Sequence, residues 1–473
     1  MTGSETDNAG SPPSTAPKTS EEIARTLRLQ PERPPVTRLS RKVLASGAAL
    51  ALLLVSAAVL WALLAVALTA SLQLVPLSVS LRQALSPASE NFLLAQDLAY
   101  GVSPGPRPLS LYPAMTAVGI VLLAGFTVLL AGLVRILNLT GVTRLAGGLI
   151  ALGVVLALVG IVQLALLGQD VYTGMRIYGF WRPRNLLTTP FGPFVNKNHF
   201  AGWMVMVMPL AAGYVAGLAE RGLRGARARW RDRFLWLSSR DGGRLQLVAF
   251  AFLLMGVSVV LTRSRSGLTS LLIAMLVVAI VAARRSRSTV VAIATGGALA
   301  AFLAVIVLWA GVNIQQRFGT TSEAVALRRG IWHDAARVVA DFPLTGTGLN
   351  TFGTAMFQYQ TFIRDQHVYE AHNDYLQLAA EGGLLLSVPI VATLIVFVRA
   401  VARRFRAGED DTRGYWIRVG AVVGLTAIAV QSIVEFSLQM PGNAALFVVL
   451  AAIALHRAPA RASSRPATAS ARA

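Results

Sequence analysis

Cysteine is absent from this chain of 473 residues, and charged residues are scarce. Without cysteine there is no disulfide framework and no thiolate metal site. Only 14% of the residues are charged, and the mean hydropathy is +0.59. Apolar runs of roughly 17–25 residues, the length that crosses a bilayer core, recur along the chain. The composition therefore predicts an all-α integral membrane protein.

We expect about ten transmembrane helices and one large, partly helical extracytoplasmic loop. The predicted spans are 43–71, 113–134, 145–167, 200–219, 245–262, 267–283, 289–311, 382–398, 419–434 and 443–456. They form a polytopic membrane domain at 43–456, with the extracytoplasmic catalytic loop at 312–381. Residues 1–42 are rich in Pro, Ser and Thr and are predicted to be a disordered cytoplasmic tail. Residues 457–473 are predicted to be a basic cytoplasmic tail.

The net charge of +21 at first suggests a nucleic-acid partner, but its distribution indicates membrane topology instead. With residues 1–42 placed in the cytoplasm, 30 of the 43 Lys and Arg residues lie on the cytoplasmic side. This asymmetry satisfies the positive-inside rule. The basic run from Arg221 to Arg244 is then a cytoplasmic anchor to anionic membrane lipids, and no nucleic-acid partner is expected. Both termini are predicted to be cytoplasmic.

Ionisable residues are missing from the central portions of the predicted spans, where Gln163 and Gln431 are the most polar side chains. Ion-coupled transporters usually keep an ionisable group near the membrane midplane. In this chain such groups gather in the segments assigned to the outer face, which hold four of the five histidines. The predicted active surface therefore faces outward.

The long loop contains a predicted helix at 323–342. One face of that helix is predicted by positions that alternate steps of three and four, namely Val325, Arg328, Trp332, Ala335, Val339 and Phe342. Pro343 ends this helix. Arg328 lies on the apolar stripe, where an unpaired guanidinium is costly, so it requires either a nearby carboxylate or a phosphate. Both partners remain open from the pattern alone.

The stretch Ala371–Gln377 precedes an apolar span. Asn373 or Asp374 is a good N-cap for the following helix, and Gln377 stands three residues after Asp374, as in a capping box. His372 would then lie at a helix entrance, where free N–H groups favour an anion. This position suits a base beside a phosphate leaving group, although a structural histidine is the alternative.

The turn at 262–267 carries Arg263 and Arg265 at the outer end of an uncharged helical hairpin. These arginines could reach into lipid headgroups. Alternatively, their planar donors could bind a pyrophosphate.

Five stretches together resemble the O-antigen ligase and polymerase family of bacterial polytopic membrane glycosyltransferases. They are GPFVNKNHFAG at 192–202, SRSG at 264–267, the pair RxxxW at 328–332 and FPLTGTG at 342–348, AHNDYL at 371–376 with EGG at 381–383, and VEFSLQMPGN at 434–443. One departure is Glu435, where the family usually has aspartate.

The resemblance implies transfer of a glycan from undecaprenyl diphosphate to an acceptor hydroxyl, with inversion and without a cofactor or metal. The implied acceptor is a growing glycan or a lipid A core. His372 corresponds to the family's loop histidine, which assists deprotonation, and Arg265 and Arg328 to the arginines that hold the diphosphate. The implied substrate-binding residues are Arg263, Asn196, Lys197, Asn198, His199, Trp332, Asn373, Asp374 and Glu435.

A transporter or channel for a small anion or a lipid-linked sugar is the alternative from another functional class. The outward arginines favour it, whereas the uncharged helix interiors disfavour it. A structural scaffold is a third reading, but it explains neither the clustered histidines nor Arg328.

Overall fold

The computed structural model of the chain describes residues 57–167, 177, 181, 189–225, 230–285, 314–363 and 366–458. Within these ranges the regular structure is helical, with isolated β-bridges and no β-strand, which confirms the expected all-helical class. The helices are α1 (Ala57–Leu72), α2 (Val79–Leu85), α3 (Pro87–Gln96), α4 (Leu98–Val102), α5 (Pro113–Thr140), α6 (Thr143–Leu167), α7 (Lys197–Gly225), α8 (Trp230–Leu237), α9 (Arg240–Thr262), α10 (Arg265–Arg285), α11 (Ile314–Asp341), α12 (Phe352–Tyr359), α13 (Asp374–Ala407), α14 (Thr412–Gln431) and α15 (Pro441–Leu455). A 3₁₀ turn at Ser437–Gln439 precedes α15.

Among the described residues, seven helices are long and apolar enough to cross a membrane, namely α5, α6, α7, α9, α10, α13 and α14. Each coincides with one of the ten predicted spans. The shorter apolar helices α1 and α15 coincide with parts of two more. The predicted span at 289–311 and the tail at 1–42 lie outside the described residues, as does nearly all of the tail at 457–473.

Helix α7 is the centre of the bundle and packs against α14, α9 and α10. In its most apolar window 83% of the residues are buried, compared with 11% in α5, which lies at the periphery. At Gly213 of α7, a Cβ atom would lie 2.2 Å from the carbonyl oxygen of Trp416 in α14. The two backbones can approach this closely because Gly213 has no side chain.

Helices α11 and α12, with Phe92 of α3, form a folded unit with its own apolar core. Ile331, Ala335 and Val338 line the buried face of α11 and, with Phe342 just beyond its end, pack against α12 and Phe92 of α3. The predicted helix at 323–342 is confirmed, although it begins earlier, at Ile314, and ends at Asp341, before Pro343. We call the end of the bundle that carries this unit the loop side.

Helix α13 is two helices joined at a kink on the loop side. Gly383 there has φ 52° and ψ −155°, a conformation that strains any residue with a Cβ atom. A Cβ at this position would also lie 2.6 Å from the backbone nitrogen of Gly346. The kink separates the first turns, which contain Glu381, from the long apolar part that begins near the predicted span at 382–398.

Candidate active site

A single buried carboxylate, that of Glu435, gathers polar side chains from distant parts of the chain. Glu435 follows the end of α14, and its side chain is 1% exposed. Its Oε1 accepts hydrogen bonds from Nη2 of Arg328 at 2.6 Å, from Nδ2 of Asn198 at 2.8 Å and from Oγ of Ser266 at 3.4 Å. These three donors come from α11, α7 and α10, so the carboxylate joins three helices on the loop side.

His372 faces the other oxygen of the same carboxylate. Its Nδ1 lies 3.9 Å from Oε2 of Glu435, which is too far for a hydrogen bond, and neither atom has a hydrogen-bond partner among the described residues. The ring of Phe436 supports the imidazole edge-on at 4.8 Å between centroids. The His372 side chain is 30% exposed, so one side of the ring remains accessible to a ligand.

All five sequence stretches that carried the family resemblance therefore meet at Glu435. Asn198 belongs to the first stretch, Ser266 to the second, Arg328 to the third, His372 to the fourth, and Glu435 itself to the fifth.

The charges around Glu435 favour its ionised form. Burial by itself raises the pKa of this carboxyl, but the neighbouring His372 and Arg328 outweigh burial and hold the pKa below its ordinary value. Glu435 is therefore a carboxylate at neutral pH. Its charge balances that of the Arg328 guanidinium. Of the two partners that the sequence left open for Arg328, a carboxylate or a phosphate, the structure shows a carboxylate.

The backbone at His372 is strained in a way that aims its side chain. His372 has φ 50°, in the left-handed region that residues with a Cβ adopt at a cost of about 1–2 kcal/mol. The neighbouring structure fixes this conformation on both sides. Ala371 accepts a hydrogen bond from Nε1 of Trp332 at 2.9 Å, and Asn373 caps the helix that follows.

The entrance to α13 confirms one part of its predicted capping and corrects another. Asn373 is the N-cap, and its side-chain oxygen accepts from the N–H groups of Tyr375 and Leu376, each at 3.0 Å. The predicted capping box is wrong. Gln377 instead accepts from the N–H of Ala371 at 2.9 Å and donates to Glu381.

Asp374 ties the start of α13 to the corner after α14. Its N–H donates to the carbonyl of Ser432 at 3.0 Å, and its Oδ1 accepts from Nε2 of Gln439 at 3.1 Å. Asp374 therefore holds the segment of His372 against the segment of Glu435.

The two arginines of the predicted tight turn lie in the short connection between α9 and α10. Arg263 has φ 56° and ends α9, and Arg265 is the first residue of α10. Both side chains are exposed. Arg265 directly precedes Ser266, which contacts Glu435, so the turn lies beside the site.

The residues at the start of α7 either cap the helix or pack against its surroundings. Asn196 caps α7, because its side-chain oxygen accepts from the N–H of Asn198 at 2.9 Å. Lys197 begins the helix, and its N–H donates to the carbonyl of Thr189 at 2.8 Å. His199 is buried, with its ring edge-on to Phe436 at 4.6 Å, so it lies behind the ring that supports His372.

Three residues near Glu435 were not among the predicted site residues. Ser266 and Phe436 lie inside stretches that resemble the family, so their positions in those stretches could have identified them as site residues. Gln431, singled out only as an unusually polar residue in a span, donates from Nε2 to the carbonyl of Asn198 at 3.1 Å. It thereby holds the backbone that presents the Asn198 amide to Glu435.

No group of three or more His, Asp or Glu side chains in the described ranges is placed to hold a metal ion. The polar groups that converge here are instead cations and hydrogen-bond donors around one anion. Such an arrangement can bind a negatively charged ligand and move a proton at an imidazole.

The fold and the site define a class, that of a helical membrane protein with an arginine and a histidine gathered around a buried carboxylate on its loop side. Residues 250–391 match the family model described as O-Antigen ligase. The matched segment contains the arginine turn, α11 and the entrance to α13. A search of curated proteins found no match. The family supports glycosyl transfer of the O-antigen ligase kind in polysaccharide biosynthesis at a bacterial membrane.

Proposed function

We propose that the protein transfers a glycan from an undecaprenyl-diphosphate donor to an acceptor hydroxyl at the outer face of the inner membrane. The observation that carries this proposal is the convergence of Arg328 and His372 on the Glu435 carboxylate, at 2.6 and 3.9 Å. A guanidinium for a phosphate and a base for a hydroxyl are the two groups that such a transfer requires.

The donor's diphosphate is assigned to the arginines. A guanidinium has five N–H donors, so the contact between Arg328 and Glu435 does not exhaust its capacity. Arg265 and Arg263 are exposed in the adjacent turn, where their side chains can fork onto phosphate oxygens. Charge develops on the diphosphate as it leaves, so fixed cations stabilise the transition state more than the bound substrate.

The acceptor's proton is assigned to His372. Because Nδ1 faces Glu435, Nε2 is the nitrogen left to accept a proton from a bound hydroxyl. The Glu435 carboxylate favours the imidazolium that results, as the buried carboxylate does in other histidine-based sites. The positive φ of His372 and the cap at Asn373 hold the ring in this direction.

The step itself needs no further reactant. Nε2 of His372 takes the hydroxyl proton while the acceptor oxygen forms a bond to the anomeric carbon. The bond from that carbon to the diphosphate oxygen breaks, and undecaprenyl diphosphate leaves with the electron pair. Attack opposite the leaving group inverts the anomeric centre.

The remaining residues of the site position these groups. Asn198 and Ser266 donate to the Glu435 oxygen that Arg328 also contacts, and so fix the carboxylate. Trp332 holds the backbone of Ala371, one residue before the base. Lys197 and Asp374 stand at the starts of the two helices that frame the site, where we expect them to contact the substrates.

The membrane side of the site follows from charge and chemistry together. The positive-inside distribution supports an assignment of the loop side to the outside of the cell, where nucleotide sugars are not available. A lipid-linked donor is already activated, because its diphosphate is a competent leaving group. The acceptor that we propose is a glycan, either a growing polysaccharide or a lipid A core.

Deletion of the encoding gene tests this function against transport. A transferase predicts that the lipid-linked glycan accumulates and that the product polymer is lost, both measured by mass spectrometry of extracted lipids and envelope glycans. Complementation with the wild-type chain should restore both. Unchanged glycan pools together with altered solute uptake would overturn the proposal.

A further inference from the structure

Three aromatic side chains, two exposed and one half-buried, form a contiguous surface on the loop side. Phe357 stacks on His367, with centroids 4.3 Å apart and planes inclined by 20°. His367 in turn packs edge-on against Tyr369 at 4.6 Å. Phe357 is 67% exposed and Tyr369 is 64% exposed. We call these three rings the aromatic platform.

The platform is supported by the packing of α12 and of the segment around Tyr369. Phe357 lies on the outer face of α12, opposite the face that Phe352 and Met356 bury in the core. One helical turn before Phe357, Gly353 leaves room for Tyr369, whose Cα and Cδ1 atoms lie 3.3 Å from the position a Cβ would take.

Val368 anchors the segment that carries the rings of His367 and Tyr369. Val368 is buried in the core, and its N–H donates to Oε1 of Gln360 at 3.0 Å. His367 and Tyr369 therefore point outward on either side of an inward residue, as in an extended strand. Rings fixed in this way need little further ordering when a ligand binds.

We propose that the aromatic platform binds a pyranose ring of the acceptor glycan, an inference that rests on the transferase function proposed above. One face of a pyranose presents C–H bonds, which pack on the electron-rich face of an aromatic ring. The ring nitrogens of His367 and the hydroxyl of Tyr369 add polar edges that can meet sugar hydroxyls.

The position of the platform favours the acceptor over a lipid surface. Tyr369 precedes His372 by three residues, so their Cα atoms are at most about 11 Å apart even if the chain is fully extended. His372 is the base assigned to the acceptor hydroxyl. A sugar on Tyr369 would thus belong to the same oligosaccharide as the reacting hydroxyl.

Binding to a soluble oligosaccharide tests the platform separately from catalysis. The probe is the oligosaccharide released by mild acid from the surface polysaccharide of the source bacterium, added to the full-length protein in nanodiscs. Saturation-transfer NMR titrations should give a Kd that rises roughly two- to twelvefold in Phe357→Leu and in Tyr369→Leu. Tyr369→Phe keeps the ring and should bind like the wild type, as should Leu98→Ala, which removes an exposed side chain elsewhere.

The same variants separate a failed platform from a failed function. In a transfer assay, the leucine variants should raise the KM for the acceptor by the same factor, with kcat and the KM for the donor unchanged. Oligosaccharide binding that weakens in these variants, in a protein that transfers nothing, would support the platform and refute the transferase. No binding by the wild type would overturn the platform. Leucine keeps an apolar side chain that can contact the bilayer, but it removes the flat ring on which a sugar stacks. A wild-type Kd in both leucine variants would therefore also overturn the platform.

Discussion

Arg328 and Arg329 are neighbours in the sequence, but their side chains have different surroundings. Arg328 is partly buried and donates to the Glu435 carboxylate at 2.6 Å, whereas the Arg329 side chain is exposed. Two adjacent arginines on one helix therefore form a matched pair, in which one is assigned to the diphosphate and the other is not.

We predict that Arg328→Ala lowers kcat/KM by about 10²–10³-fold, the range seen when one transition-state donor is removed. Arg328→Lys should recover only part of the activity, because an ammonium cannot make the bidentate fork. Arg329→Ala should stay near the wild-type rate. Initial rates per folded molecule measure all three.

Removal of Arg328 also leaves a buried carboxylate unpaired, which by itself can destabilise a protein by about 3–5 kcal/mol. The double variant Arg328→Ala/Glu435→Gln removes both charges and should melt at a higher temperature than Arg328→Ala while remaining inactive. An active double variant would show that the pair serves folding rather than catalysis.

At the scale of single elements, the N-cap of α13 links stability to the direction of His372. Asn373→Ala should cost about 0.5–2 kcal/mol of stability, because two N–H groups lose their acceptor. It should also lower the rate per folded molecule, since the residue before the cap, His372, is the proposed base.

Asp411→Ala is the control for this prediction. Asp411 caps α14 in the same way, with Oδ1 accepting from the N–H of Gly414 at 2.7 Å. It lies at the opposite end of a helix of 20 residues, about 30 Å long, from Glu435. Melting curves should show a similar loss for both variants, with specific activity preserved only in Asp411→Ala. Equal specific activities would contradict the positioning role.

The same elements show how far the sequence can predict this structure. Helical periodicity and Pro343 located the C-terminal part of α11, because those signals are local. The buried face was predicted less well. Arg328, Trp332 and Val339 lie at its edge, while Ile331 and Val338 lie inside it. Which face is buried depends on the packing of α12 and α3, and no pattern within α11 encodes their positions.

The site shows a similar limit. The sequence implied Arg328, His372 and Glu435 separately, through three matching stretches, and indicated that Arg328 needs an anionic partner. It could not identify Glu435 as that partner, because the two residues are 107 positions apart and meet only through tertiary packing. Gln377 illustrates a different error. It accepts from the N–H of Ala371 and donates to Glu381 and Gln439 instead of capping the helix, and the bond to Gln439, 62 positions away, depends on tertiary packing.

At the scale of the whole molecule, the orientation in the membrane decides which substrates can reach the site. The native chain has no cysteine, so a single introduced cysteine reports its own location. Leu98 and Leu235 are 88% and 68% exposed and are assigned to opposite sides.

We predict that a membrane-impermeant maleimide labels Leu98→Cys in intact spheroplasts and labels Leu235→Cys only after lysis. The physical reason is the excess of Lys and Arg near Leu235, which retains that side in the cytoplasm. Labelling of Leu235→Cys alone in intact spheroplasts would place the loop side in the cytoplasm and refute transfer at the outer face.

The most direct test of the central claim is the transfer rate of His372→Ala in a purified system. The wild-type chain in nanodiscs, with an undecaprenyl-diphosphate-linked glycan and its acceptor, should form the glycan product and release undecaprenyl diphosphate. His372→Ala should lower kcat by about 10²–10⁴-fold, with donor binding and melting temperature nearly unchanged. A normal rate per folded molecule in His372→Ala would contradict the assignment of His372 as the base.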